Sequence, residues 1–196
     1  GQRTVLKSDI AVTAGEIVDT SRMSKAKLVE FIYEQIEDAK AQGVLFSVHL
    51  KATMMKVSDP IIFGHFVKAF YADLFSKFPE LESEYGFNAN NGIADLDDIL
   101  TKLDADKRSA VEAALAEVYA NRPDMAMVDS DKGITNLHVP NNVIIDASMP
   151  AALKTSGRMW NKEGQTQDTK FVIPDRSYAG IYQEVVDFCK ANGAFD

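Results

Sequence analysis

The densest run of chemistry-bearing side chains is His49-Leu-Lys51-Ala-Thr-Met-Met-Lys56-Val-Ser-Asp59-Pro-Ile-Ile-Phe-Gly-His65. An apolar strand runs into a lysine, then a short polar segment, then a helix start. Ligands of open α/β sheets sit beyond the C-terminal ends of strands. Lys51 at such an end could present an ammonium to an anionic substrate. It could also act as a base if nearby positive charge favours its neutral form. The alternative, which spacing alone favours, is that Lys51 simply marks the strand's exit into water. Asp146 is the second candidate. It follows the apolar Val143-Ile144-Ile145 and precedes Ala-Ser-Met-Pro150. A carboxylate there could hold a divalent metal with acids from elsewhere, or cap a short helix starting near Met149 or Pro150. One aspartate is not a complete metal site, because Mg²⁺ or Mn²⁺ needs several oxygen ligands.

Other patterns fail on chemistry. Asp129-Ser-Asp131-Lys-Gly133 starts like a calcium loop, but its twelfth position is Pro140 and not Glu. There is no G-x-G-x-x-G and no G-x-x-x-x-G-K-[ST] phosphate loop. His49, His65 and His138 lack zinc-ligand spacing. His65 reads as a core residue of a buried helix. Ser58 and Ser177 have no nucleophile elbow. Cys189 falls on an apolar helical face, as an inert packed thiol would. Met125 and Met127 read as strand core, and Asp95, Asp97 and Asp98 as a solvated face.

Helices and strands alternate around these candidates. Residues 9–13 read as a short strand. Ser24 is a helix N-cap, with Leu28, Phe31, Ile32 and Ile36 at helical spacing up to a stop at Gly43. Residues 44–51 read as a strand, with Leu45, Ser47, His49 and Lys51 on one face. Asp59-Pro60 starts a buried helix running to about residue 77. Residues 79–105 read as loop with a short helix near 94–103. Asp104 caps an amphipathic helix to about Ala120. Residues 125–128 and 143–145 read as buried strands, 156–167 as an exposed connection and 171–174 as a last strand. A final helix runs from Ser177 to Gly193, with Ile181, Tyr182, Val185, Val186 and Cys189 on one face. The alternation implies an α/β fold, a sheet with flanking helices in a single domain over residues 1–196.

At 196 residues and 46% hydrophobic, the chain can bury one substantial core. A net charge of -8 argues against nucleic acid and against an anionic membrane surface, but says little about a small anionic substrate. A single cysteine fits a reducing compartment, and no apolar run approaches a membrane span, so a cytoplasmic protein is expected. The missing initiator Met suggests processing or a cloning scar at residues 1–2, and a fragment of a longer chain.

Three long runs carry a resemblance: Leu50 through His65; Val128 through Pro140 with Val143 through Ala151; and Val172-Ile-Pro-Asp-Arg-Ser-Tyr-Ala-Gly-Ile-Tyr-Gln-Glu184. In this order they resemble the monomeric, single-chain NADP-dependent isocitrate dehydrogenases. The family's enzymes are several times longer. They convert isocitrate to 2-oxoglutarate and CO₂ with NADP⁺ and Mg²⁺ or Mn²⁺. The resemblance implies that this chain is an internal segment of one of the two similar halves of the large domain. Lys51 matches the catalytic, substrate-contacting lysine, and Asp146 one of the metal-binding aspartates. The tyrosine that protonates the enolate, the other metal ligands and the NADP contacts belong to later segments, and the carboxylate-gripping Ser/Asn/Arg cluster to an earlier one. No cofactor-binding residue is expected here, and neither Tyr178 nor Tyr182 is given the tyrosine's role. The remaining partner would be the rest of the parent polypeptide, and the isolated chain is expected to be inactive. A stand-alone binding or regulatory module derived from the enzyme is the alternative.

Overall fold

The Ser24 side chain accepts a hydrogen bond from the Lys27 amide and opens α1 (Lys25–Gln42). Gly43 ends α1 in the left-handed conformation at φ 66°, a geometry glycine adopts without steric cost. The computed structural model describes residues 2–18, 22–51 and 58–194, with the backbone alone for 177 and 178. The polar segment at 52–57 and Gly1 lie outside the described residues, as do the side chains of Ser177 and Tyr178.

α1 buries Leu28, Ile32 and Ile36 and delivers the chain to β1 (Leu45–Val48), all four residues of which are buried. Burial on both faces is the signature of a central strand. β1 pairs in parallel with β5 (Thr166–Val172), Leu45 opposite Thr169 and Val48 opposite Val172. β4 (Arg158–Trp160) runs antiparallel on the far edge of β5, giving the order β1-β5-β4.

The other edge of β1 is completed piecemeal. Phe46 bridges to Met125, and Leu50 bridges to Ile144. Between them the buried Asn136 side chain stands in for a peptide: Val48 N–H donates to its Oδ1 at 2.6 Å, and its Nδ2 donates to the Val48 carbonyl at 3.1 Å. Asn136→Leu would leave the Val48 amide and carbonyl buried without that partner. Each such group costs about 1–3 kcal/mol, so a loss of roughly 2–6 kcal/mol is expected, read as a lower urea midpoint.

The helices cover this sheet. α2 (Ser58–Phe70) brings Phe66 and Phe70 against Phe46, at ring separations of 6.3 and 6.0 Å. Gly64 lets α2 approach the 3₁₀ turn Ala89–Asn91, since a Cβ there would lie 2.0 Å from Asn90 Oδ1. The chain continues through α3 (Ala72–Lys77), α4 (Glu80–Ser83) and α5 (Asp95–Leu100). Asp104 Oδ1 accepts from the Lys107 amide at 2.8 Å and opens α6 (Ala105–Asn121), whose Val111, Ala114 and Val118 face the core. After the small hairpin of β2 (Met127–Asp129) and β3 (Ile134–Thr135), a 3₁₀ turn at Pro140–Val143 leads into α7 (Ile145–Lys154). α8 (Arg176–Asn192) follows β5. The architecture is α/β, with a small mixed sheet and flanking helices. Among the described residues no helix is long and apolar enough to cross a membrane.

Several expectations are corrected. Residues 9–13 form no strand. Among the described residues no neighbouring strand takes up their amides and carbonyls, and Ile10 and Val12 are exposed. The buried run 143–145 is the end of a 3₁₀ turn and the start of α7, with one bridge at Ile144. The supposed connection at 156–167 contains β4 and the start of β5, and the long second helix breaks after Phe70. His65 is half-buried and not a full core residue, and Cys189 likewise.

Candidate functional site

Lys51 lies just past the C-terminal end of β1, where the strand's last pairing to β5 is the His49 amide donating to the Val172 carbonyl at 2.9 Å. The segment beyond Leu50 is held from the other side as well. Leu50 N–H donates to the Val143 carbonyl at 2.7 Å, and Ile145 N–H donates to the Leu50 carbonyl at 2.8 Å. These two bonds place the start of α7 against the end of β1. They bring together two residues 95 positions apart, for the Lys51 ammonium pairs directly with Asp146 Oδ2.

Asp146 sits in the first turn of α7 and does not cap a helix starting near Met149 or Pro150. A carboxylate in the first turn complements the positive end of the helix dipole. Pro150 lies inside the helix and supplies no N–H to the Asp146 carbonyl four residues back. The two side chains differ in exposure: 19% for Lys51 and 54% for Asp146. The lysine is therefore mostly enclosed, while the carboxylate keeps an open side.

Beneath the pair lies a polar chain that no charge marks in the sequence. His49 is fully buried. Its Nε2 is 2.8 Å from Ser47 Oγ and its Nδ1 is 2.6 Å from Ser148 Oγ on α7. Burial pushes the imidazole down to about 3, so the ring is neutral at pH 7. The signal was present in the strand's alternation, which puts Ser47, His49 and Lys51 on one face of an otherwise apolar run. Tyr182 of α8 donates to the Ile145 carbonyl at 3.3 Å, and partial burial raises its phenol above the ordinary value.

Among the described residues no three or more His, Cys, Asp or Glu side chains gather in a way that could hold a metal ion. Asp146 can offer one hard oxygen donor on its exposed side, which fits a single position in an oxygen shell of roughly six ligands.

The whole chain, residues 1–196, matches the family model for monomeric isocitrate dehydrogenase. The chain belongs to that family. It is 58% identical over 196 residues to an NADP isocitrate dehydrogenase of Azotobacter vinelandii, and 57% identical over 196 residues to NADP isocitrate dehydrogenase 2 of Colwellia maris. A Corynebacterium glutamicum NADP isocitrate dehydrogenase is 52% identical over 197 residues. Each alignment takes in 100% of this chain but 26% of the relative, so the chain spans about a quarter of the monomeric isocitrate dehydrogenases it matches.

Proposed function

We propose that this chain forms one wall of the active site of an NADP-dependent isocitrate dehydrogenase, with Lys51 handling a substrate proton and Asp146 offering one metal ligand. The observation that carries this reading is the direct contact of Lys51 with Asp146 at the C-terminal end of β1. The relatives' names, NADP isocitrate dehydrogenase, support isocitrate as the parent's substrate and NADP⁺ as its hydride acceptor, and the proposed reaction takes Mg²⁺ or Mn²⁺ as its metal. A bound divalent cation supplies positive charge that acidifies the substrate hydroxyl and stabilises negative charge on its oxygens.

Lys51 acts at Nζ. In its ammonium form it attracts a substrate carboxylate, and in its neutral form it takes the proton of the hydroxyl being oxidised. Its enclosure strengthens either interaction by limiting competition from water. Asp146 holds the lysine in place before substrate arrives, and its half-exposed carboxylate stays open to a ligand. The rest of the parent polypeptide supplies the remaining ligands and the cofactor contacts. The isolated chain, given isocitrate, NADP⁺ and Mn²⁺, is accordingly expected to give no increase in absorbance at the NADPH band, while the full-length parent does. Turnover by the isolated chain would overturn the partial-site reading.

A further inference from the structure

We propose that His49 is a positioning residue: through Ser148 it locks the first turn of α7 onto the end of β1 and so sets the direction in which Asp146 meets Lys51. The inference rests on the roles given above to Lys51 and Asp146.

The argument is geometric. The backbone bonds Leu50–Val143 and Ile145–Leu50 join strand to helix along one short line. Bonds along a line leave rotation about that line free. Burial of Met149 and Ala152 limits that rotation without direction, and the 2.6 Å contact from His49 Nδ1 to Ser148 Oγ adds a directed third point off the line, made between side chains. Ser148 follows Asp146 by two residues, and His49 precedes Lys51 by two just past the end of β1. The clamp and the ion pair are therefore joined by short, stiff stretches of backbone.

The ring itself is held from several sides. It packs on Phe171 of β5 with centroids 5.1 Å apart. Ser47 Oγ lies 3.2 Å from Met159 Sδ and can donate to it, an arrangement that suits the tautomer with the proton on His49 Nε2. In that tautomer Nδ1 accepts from the Ser148 hydroxyl. Every polar atom of the chain Met159–Ser47–His49–Ser148 has a partner, and the neutral imidazole needs no counter-ion. A buried phenylalanine would fill the same space, so an imidazole in this position has value for its two directed nitrogens.

Ser148 is the better residue to change, since it is only half-buried and alanine is a good helix former. In the full-length enzyme, Ser148→Ala is expected to lower kcat about 10- to 100-fold, as loss of a supporting contact around a site does. The KM for isocitrate should stay within about twofold, because the groups that grip the substrate's carboxylates are elsewhere. Ser148→Thr restores the hydroxyl and should recover most of the rate. Four results would each overturn the proposal: an alanine variant with near-normal kcat, a loss confined to KM, a threonine variant as slow as alanine, or an alanine variant that fails to fold, which would make the serine a structural group only. Lys51→Met separates the two claims. If that variant is dead and Ser148→Ala is normal, only the clamp is lost, and if Lys51→Met is active, the underlying site reading is lost.

Discussion

Lys51→Met in the full-length enzyme is expected to lower kcat by roughly a hundred- to ten-thousand-fold, the range that a positioned proton-transfer group contributes, with the fold unchanged. Methionine keeps the length and apolar stem of lysine and removes only the ammonium. Since the Lys51 side chain is 19% exposed, that stem is packed, and a shorter replacement would confuse a lost contact with a lost charge. Stability should move little, because the partner carboxylate is half exposed and regains water when the ammonium goes. Matched thermal melts and circular dichroism, with kcat measured at saturating isocitrate, check both halves of the expectation. A variant with near-normal kcat would remove Lys51 from the chemistry and leave it as a charged residue at a strand exit.

How much of this was legible in the sequence depends on the range of the forces involved. Ser24, Gly43 and Asp104 act within one helical turn, so α1 and α6 could be bounded from local chemistry. The hairpin of β4 and β5 was hidden because its exposed face carries polar and charged residues, as at Arg158 and Asp168, which pair across the strands. The run at 143–145 misled for the opposite reason. Its residues are apolar because they are buried beside β1, yet the chain there turns into a helix after a single bridge. Periodicity over three residues cannot separate those cases.

The site divides along the same line. Lys51 and Asp146 were visible as charges at the ends of apolar runs, and the family resemblance picked them out from other such charges. Their contact was not visible, because it depends on Leu50 and its bonds to residues more than ninety positions later. Asn136 was missed altogether. A lone asparagine after a short strand reads as a turn residue, and only the gap between the Met125 and Ile144 bridges explains why it is buried. The polar face Ser47–His49–Lys51 was noticed as alternation but not as a network, since its other half, Ser148, comes from α7.

Asp146→Asn is expected to raise the Mn²⁺ concentration needed for half-maximal activity by about 100-fold or more, a larger effect than the 10- to 100-fold typical of residues that merely support a ligand. The substitution preserves the shape of the side chain and one oxygen acceptor, but removes the negative charge that a hard cation requires. It also removes the opposite charge beside Lys51, so the two effects must be told apart. Charge at the lysine acts on kcat at any metal concentration, whereas a lost ligand can be offset by more metal. Recovery of rate at high Mn²⁺ therefore marks Asp146 as a ligand, and a low rate that no metal concentration restores marks it as a partner of Lys51 alone. Direct Mn²⁺ titration followed by electron paramagnetic resonance gives the same distinction without turnover when Asp146→Asn is measured beside Lys51→Met/Asp146→Asn, which removes the repulsion of the unpaired ammonium and leaves only the lost ligand.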